Sequence, residues 1–222
     1  MSEFFVILLL VILVYQSWYQ ARHLFQRRYI ERFTFPPAIK NKLKRRYPKL
    51  SDRQLDLIFR GLRDYFLLCH QSPLKMVAMP SQAVDSAWHE FILFTRYYQH
   101  FCRKALGRFL HHTPAEAMRS PTHAQVGIQR AWRLACYQER LDPKHPTRLP
   151  LLFALDKLLE IDNGFYYSLN CRKSASSRPH YCAGDIGCSS GCAGDSGGES
   201  GDASSGDTSG CGGDSGGGCG GD

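Results

Sequence analysis

The longest apolar pattern in the chain lies near its amino-terminal end. Residues 4–15, FFVILLLVILVY, contain no polar side chain, and residues 16–19, QSWY, extend the run toward the roughly 17–20 residues that cross a bilayer. The leader Met-Ser-Glu lacks the basic residues that precede the apolar run of a secretion signal. The apolar run also lacks a polar face, which argues against the alternative of an amino-terminal helix buried in a soluble protein. The pattern predicts one transmembrane span with a basic juxtamembrane segment over residues 1–33.

Basic residues follow this run and predict its orientation. Arg22, Arg27, Arg28 and Arg32 come within about 15 residues of the apolar stretch. The positive-inside bias therefore predicts an inner-membrane protein with its amino terminus outside and its body and tail in the cytoplasm. Anionic headgroups are expected to bind simple positive charge here. The residues expected to supply it are Arg27, Arg28, Lys42, Lys44, Arg45 and Arg46.

Between residues 34 and 180 the spacing of apolar residues is helical. The segment FPPAIKNKLKRRYP predicts a short basic helix held near the membrane, and Ser51 with Gln54 forms a capping box at the start of the next helix. Apolar residues continue at helical spacing through that second helix. They are Leu55, Ile58, Leu62, Tyr65, Phe66 and Cys69.

A third helix is predicted from Pro80-Ser81 to Gly107, followed by a brief turn, RFLHHTP. Two further patterns, around PTHAQVGIQRAWRLACYQ and PLLFALDKLL, predict the last helices, with an extended end after them. No long alternation of apolar and polar residues indicates a strand, so we expect an all-α bundle of four to five helices. Two stripes face its core: Val84, Trp88, Phe91, Thr95, Tyr98 and Cys102, and Ile128, Ala131, Trp132 and Ala135.

The carboxyl-terminal segment 181–222 differs in composition. From residue 183 onward it has no aromatic residue, Lys or Arg, so a disordered Gly/Ser/Asp/Cys-rich tail is expected. CAGD begins at Cys182 and Cys192, and CGGD begins at Cys211 and Cys219. Their spacing does not match paired CxxC metal knuckles, which leaves weak metal binding or partner docking as alternatives to a solvated tail.

Charge and cysteine content narrow the partners. Residues 1–182 hold all 28 Lys and Arg with 13 of the 20 acids, a net charge of +15. Nucleic acid is nevertheless the least expected partner, because the chain lacks aromatic-basic platforms and a recognition helix. In a cytoplasmic body, Cys69, Cys102 and Cys136 are expected to be reduced, small core residues.

Four polar residues of the third helix and its turn are candidates for a metal site. Asp85 and His89 are four residues apart on one helical face, and a carboxylate there can orient an imidazole. His111 and His112, or Glu90, could complete a site for a divalent transition metal if the turn folds back over the helix. Alternatively, Asp85 only favours the helix dipole and His89 only flanks the core.

The sequence contains no HExxH, paired CxxC, nucleophile elbow or phosphate loop, so it identifies neither catalytic nor cofactor-binding residues. The stretch MPSQAVDSAWHEFILFTRYYQHFCRKALGRFLHHTP resembles the bacterial glycine-rich domain-containing proteins in its pattern V-D-x-x-W-H, T-x-x-Y, F-C and G-x-F-x-H-H-x-P. The downstream RAWRLACYQERLDPKHPTRLPLLFALD is also similar, so the resemblance covers roughly residues 45–168. It implies no established activity.

These observations lead to two functional hypotheses. The first is a membrane-anchored interaction or scaffold module that faces the cytoplasm and binds an unidentified protein. The alternative is a metal-binding protein or metal-dependent enzyme with its site at Asp85, His89, His111 and His112.

Overall fold

A computed structural model of the chain describes residues 2–112, 121–169, 180–182 and 186. Within these residues the chain forms seven helices and two short strands, so the predicted all-α class is confirmed. Apart from residues 181, 182 and 186, the tail predicted to be disordered lies outside the described residues. The helices are α1 (Ser2–Arg32), α2 (Pro37–Arg46), α3 (Asp52–Gln71), α4 (Gln82–Leu93), α5 (Thr95–Ala105), α6 (Pro121–Gln138) and α7 (Leu151–Leu158).

The two strands are β1 (Tyr166–Ser168) and β2 (His180–Cys182), which pair in parallel with Tyr166 opposite His180. They follow α7, where the sequence predicted an extended end. The capping box at the start of α3 is also present. The backbone N–H of Ser51 donates to Gln54 Oε1 at 2.8 Å, and the N–H of Gln54 donates to Ser51 Oγ at 3.4 Å.

The predicted third helix is two helices, α4 and α5, which meet at Phe94. Phe94 has φ −83° and ψ 60°, and its N–H donates to the Phe91 carbonyl, three residues back, at 3.0 Å. The bend interrupts the single helix that the predicted stripe assumes. Val84, Trp88, Phe91, Tyr98 and Cys102 are buried as predicted, whereas Thr95 is exposed.

Helix α3 is the centre of the core and packs against α1, α4, α6 and α7. Phe66 of α3 contacts Phe101 of α5 with ring centroids 4.7 Å apart and meets Trp88 of α4 edge-on at 6.1 Å. All six apolar positions predicted for α3 are buried. Cys69, Cys102 and Cys136 are buried free thiols, as predicted. The aromatic residues of the predicted stripe, Trp88, Phe91 and Tyr98, are therefore core residues.

Helix α1 has two parts with different surroundings. Its first part, residues 4–19, is exposed throughout, and the helix over Glu3–Arg32 is long and apolar enough to cross a membrane by length and composition. Its second part packs on the body: Ile30 is fully buried, and Tyr29 lies 6.1 Å from Phe101 between ring centroids. One continuous helix thus joins a membrane-compatible segment directly to the core.

Helix α1 runs antiparallel to α3. The His23 ring of α1 lies 4.1 Å from the His70 ring near the end of α3, whereas Phe35, just after α1, stacks on Phe59 at 5.2 Å. The carboxyl end of α3 therefore returns toward the exposed part of α1. Helix α2 lies at the other end of α3, where Lys40 pairs with Asp56 at 2.6 Å.

A buried carboxylate of α7 caps α4. Asp156 Oδ1 accepts hydrogen bonds from the Ser81 hydroxyl at 2.6 Å and the Ala83 N–H at 3.1 Å. Its Oδ2 accepts from the N–H groups of Gln82 at 2.7 Å and Phe165 at 2.8 Å. The first N–H groups of a helix lack intrahelical acceptors, and the Asp156 carboxylate accepts hydrogen bonds from two of these groups in α4. The same bonds fix the start of α4 against α7.

Candidate functional site

Asp85, His89 and His112 converge on one side of α4. Asp85 and His89 are one turn apart on the helix, and Asp85 Oδ2 lies 3.1 Å from His89 Nδ1. His112, in the turn that follows α5, places Nε2 at 2.8 Å from Asp85 Oδ1. The two imidazole centroids are 4.1 Å apart. One carboxylate therefore contacts two imidazoles that are 23 residues apart in sequence.

The turn folds back over α4 because the core holds it there. Gly107 has φ +68°, a left-handed conformation that favours glycine and ends α5. The Trp88 indole N–H donates to the Tyr98 hydroxyl at 3.1 Å, and that hydroxyl donates to the Leu110 carbonyl. The His112 ring then packs edge-on against Trp88 at 4.5 Å.

The burial of the three side chains is graded. The His112 side chain is 13% exposed and that of Asp85 is 18% exposed, whereas the His89 side chain is 51% exposed. The cluster therefore has one wall on the Trp88 side and one side open to solvent. A ligand could reach the open side without any rearrangement of the core.

The geometry suits a metal with nitrogen and oxygen ligands. One ligand atom from each residue lies within 4.8 Å of the other two. A tetrahedral site with bonds of about 2.0–2.2 Å has ligand-to-ligand edges of about 3.3–3.6 Å. The two imidazoles contact different oxygens of Asp85, His112 Nε2 at 2.8 Å from Oδ1 and His89 Nδ1 at 3.1 Å from Oδ2, so side chains must move apart to hold one metal.

The other two candidates of the sequence analysis lie elsewhere. His111 is exposed and packs on Phe109, with ring centroids 4.8 Å apart, instead of joining Asp85. Glu90 pairs with Lys42 of α2 at 2.7 Å, so its carboxylate has a different partner. The structure thus brings together three of the four predicted site residues.

The thiols near the core are unsuited to metal binding. Burial raises the pKa of Cys69 to about 12 and also raises the pKa of Cys102, so both remain protonated at neutral pH. Cys69 and Cys102 therefore act as small apolar residues, and the candidate ligand set consists of one carboxylate and two imidazoles.

The sequence reasoning missed one further histidine contact. His70 is buried beside His23, and its Nε2 has no hydrogen-bond partner among the described residues. Burial lowers the pKa of His70 to about 4, with a further contribution from His23. The two histidines are 47 residues apart on different helices, so no spacing rule could have paired them.

The fold and this cluster together define a class: an all-α protein with an exposed apolar amino-terminal helix and a carboxylate–imidazole cluster on its helical body. Residues 25–186 match the family model UCP032817-like, so the chain belongs to this uncharacterised family. The match includes the body and its cluster and begins after the apolar part of α1. Neither a curated protein nor a solved structure matches the chain.

Proposed function

We propose that this protein is a membrane-anchored metal-binding protein whose helical body holds a divalent transition metal through Asp85, His89 and His112. The observation that carries the proposal is the convergence of their three ligand atoms within 4.8 Å. The turn that delivers His112 is fixed by the hydroxyl of Tyr98, so the arrangement is built into the core. This pre-organisation lowers the cost of assembling the site when metal binds.

The donor set favours zinc and its first-row neighbours. Imidazole and carboxylate ligands suit Zn²⁺, whereas Ca²⁺ and Mg²⁺ prefer all-oxygen sites. Three protein ligands leave a fourth position for water, and the exposed side of His89 gives that position access to solvent. A metal here could polarise a bound water or an incoming ligand. Polarisation of water or of a ligand would require that the metal is bound first.

The experiment uses the full chain in detergent, because α1 contributes Ile30 to the core and cannot be removed safely. The protein is purified without chelator, loaded with Co²⁺ and dialysed. We expect roughly one tightly bound equivalent with the visible absorption of nitrogen and oxygen ligation. Cysteines in the tail would instead add an intense thiolate charge-transfer band, which separates the two donor sets.

Matched variants identify the ligands. His112→Ala and Asp85→Asn should each abolish the nitrogen and oxygen spectrum, whereas His111→Ala should leave it unchanged because His111 faces Phe109. Circular dichroism checks that each variant is folded. The proposal fails if wild-type protein retains less than roughly a tenth of an equivalent, or if His111→Ala and His112→Ala lose metal equally.

We propose that α1 spans the inner membrane once, with the amino terminus outside and the body and tail in the cytoplasm. The exposed apolar residues 4–19 and the arginines that follow them support this orientation. Carbonate extraction and the accessibility of an amino-terminal tag on spheroplasts test it. Release of the chain by carbonate would argue against a span, and a tag reachable only after the spheroplasts are lysed would reverse the orientation.

An interaction or scaffold module is the second candidate. Leu93 and Tyr97 are exposed near the corner between α4 and α5, where they could contact a protein partner. Under this candidate, Leu93→Glu would remove specific crosslinked complexes in cells, and His112→Ala would keep them. The opposite result would favour the metal site. The resemblance of the motif to bacterial glycine-rich domain-containing proteins stays a prediction and does not favour either candidate.

A further inference from the structure

The end of the body nearest the exposed part of α1 carries cations and apolar side chains. It is formed by the loop after α3 and by the end of α5 with its turn, because His70 lies beside His23 and the Gly107 turn lies beside Arg22. We call it the proximal surface. Its residues are Leu74, Lys75, Arg103, Lys104, Arg108 and Phe109.

Two apolar side chains of the proximal surface are exposed to solvent. Leu74 is 96% exposed and Phe109 is 45% exposed, although both adjoin elements that are well packed. The loop carrying Leu74 is anchored at both ends: the Ser72 hydroxyl donates to the Lys75 carbonyl at 3.4 Å, and the Tyr65 hydroxyl donates to the Val77 carbonyl at 3.0 Å. Leu74 is thus presented to the outside by an anchored loop.

Among the described residues, the three segments that form this end carry no acidic side chain, and Asp85 of α4 contacts the turn through His112. No Asp or Glu occurs in residues 65–84, which form the end of α3 and its loop, or in residues 91–112, which include α5 and its turn. Helix α1 likewise has none between Glu3 and Glu31. All three segments that meet here are therefore free of acids, and Lys75, Arg103 and Lys104 are exposed. Such a surface complements a surface of negative charge.

We propose that the proximal surface docks on the anionic lipid headgroups around the span, with Leu74 and Phe109 entering the interface and the cations binding lipid phosphates. This inference rests on the proposed membrane anchoring by α1. Residues Trp18 and Tyr19, at the end of the apolar run, lie where the interface would be, within one helical turn of Arg22 and His23. The proximal surface is therefore at headgroup depth, where exposed apolar and basic side chains are both stabilised.

The same geometry places the basic helix α2 away from the bilayer. Thirteen residues of α1 separate Tyr19 from Arg32, a rise of about 20 Å, and α2 begins beyond that point. Two of its lysines are already paired, Lys40 with Asp56 and Lys42 with Glu90. The proximal surface is thus a better candidate for headgroup contact than Arg45 and Arg46, which the sequence pattern favoured.

The test uses the full chain reconstituted in vesicles of neutral phosphatidylcholine, or of phosphatidylcholine with phosphatidylserine. A photoreactive benzoylphenylalanine is placed at Leu74, at Val11 inside the apolar run, or at Lys49. Lys49 is exposed at the opposite end of α3, about 30 Å from the proximal surface. Lipid crosslinks are counted by mass spectrometry after illumination.

We expect the Leu74 probe to crosslink lipid several-fold more than the Lys49 probe, and more in anionic than in neutral vesicles. Lys75→Glu and Lys104→Glu should each lower the Leu74 yield by roughly fivefold. The matched pair Arg45→Glu and Arg46→Glu in α2 should leave it unchanged. Circular dichroism of these surface variants confirms that they are folded.

Two failures are distinguishable. If the Val11 probe crosslinks lipid but the Leu74 probe does no better than the Lys49 probe, the anchor stands and the docking surface is refuted. If the Val11 probe also fails to crosslink lipid, the anchoring itself is refuted. Loss of the Leu74 crosslink through the α2 variants alone would transfer the contact to α2 and overturn the assignment made here.

Discussion

The indole N–H of Trp88 donates to the hydroxyl of Tyr98 at 3.1 Å, across the bend that separates α4 from α5. The same hydroxyl donates to the Leu110 carbonyl, two residues before His112. Burial raises the pKa of Tyr98 well above its usual range, so the phenol stays protonated and keeps this donor. One buried phenol therefore joins the aromatic core to the turn that carries a candidate ligand.

Tyr98→Phe should destabilise the protein and weaken metal binding together. The substitution leaves the Trp88 N–H and the Leu110 carbonyl without a partner, which costs about 1–3 kcal/mol for each buried group left unsatisfied. Urea denaturation followed by circular dichroism measures the loss, and Co²⁺ titration measures the affinity. The control is Tyr97→Phe, whose ring is exposed, and equal losses in both variants would contradict the role of Tyr98.

Local periodicity is sufficient to predict the all-α class and most buried positions. The α3 capping box could also be predicted, because it depends on two residues three positions apart. The exposed position of Thr95 could not, because no proline or glycine marks the bend at Phe94 in the sequence. Sequence spacing placed Asp85 and His89 on one face. It could not separate His111 from His112, since only the fold of the turn decides which imidazole points back.

The Asp156 cap shows a different limit of sequence reasoning. Its four donors come from residues 81, 82, 83 and 165, up to 75 positions away, so local patterns show only an unremarkable helical acid. The sequence predicts a helix start at Pro80-Ser81, and Ser81 is the N-cap of α4. The buried carboxylate that supports it from α7 becomes visible only in three dimensions.

Asp156→Asn should be strongly destabilising. Asn has one acceptor oxygen and one NH₂ group, so at least one set of N–H donors would face another donor in a buried site. We expect a loss of about 2–4 kcal/mol in the free energy of unfolding. Chemical denaturation measures it against Asp162→Asn, a nearby exposed acid that should change stability by less than about 0.5 kcal/mol. If Asp156→Asn left the free energy of unfolding unchanged, the cap would contribute little to stability.

Gly61→Ala should also destabilise the core, although alanine is the better helix former. A Cβ at Gly61 would lie 2.4 Å from Leu155 Cδ1 and 2.9 Å from Val84 Cγ2, and both partners are fully buried. The overpacking should destabilise the protein by about 1–3 kcal/mol, and the higher helix propensity of alanine should offset about 1 kcal/mol of this cost. We therefore expect a net loss of up to about 2 kcal/mol in a thermal or urea melt. Arg53→Ala, at another exposed position of α3, should be near neutral.

Asp64 should make the stability depend on pH with a sign opposite to that of a salt-bridged acid. Burial raises the pKa of Asp64 from 3.8 to about 6, even though Arg60 acts to lower it. The folded protein therefore binds the proton of the Asp64 carboxyl more tightly than the unfolded chain does. The stabilisation that comes from this bound proton is fully present below about pH 4. That contribution is lost as the pH rises through about 6, and the loss amounts to about 2–3 kcal/mol.

Asp64→Asn isolates this effect, because an amide oxygen can still accept the hydrogen bond that Gln138 Nε2 donates at 3.1 Å. The variant should match the wild type near pH 4 and exceed its stability by about 2 kcal/mol near pH 7.5. Urea denaturation across this range gives the difference curve. Asp56→Asn, an exposed acid paired with Lys40, controls for the general change in charge. A flat difference between wild type and Asp64→Asn would mean that Asp64 is ionised in the folded protein without cost, contrary to its burial beside α6.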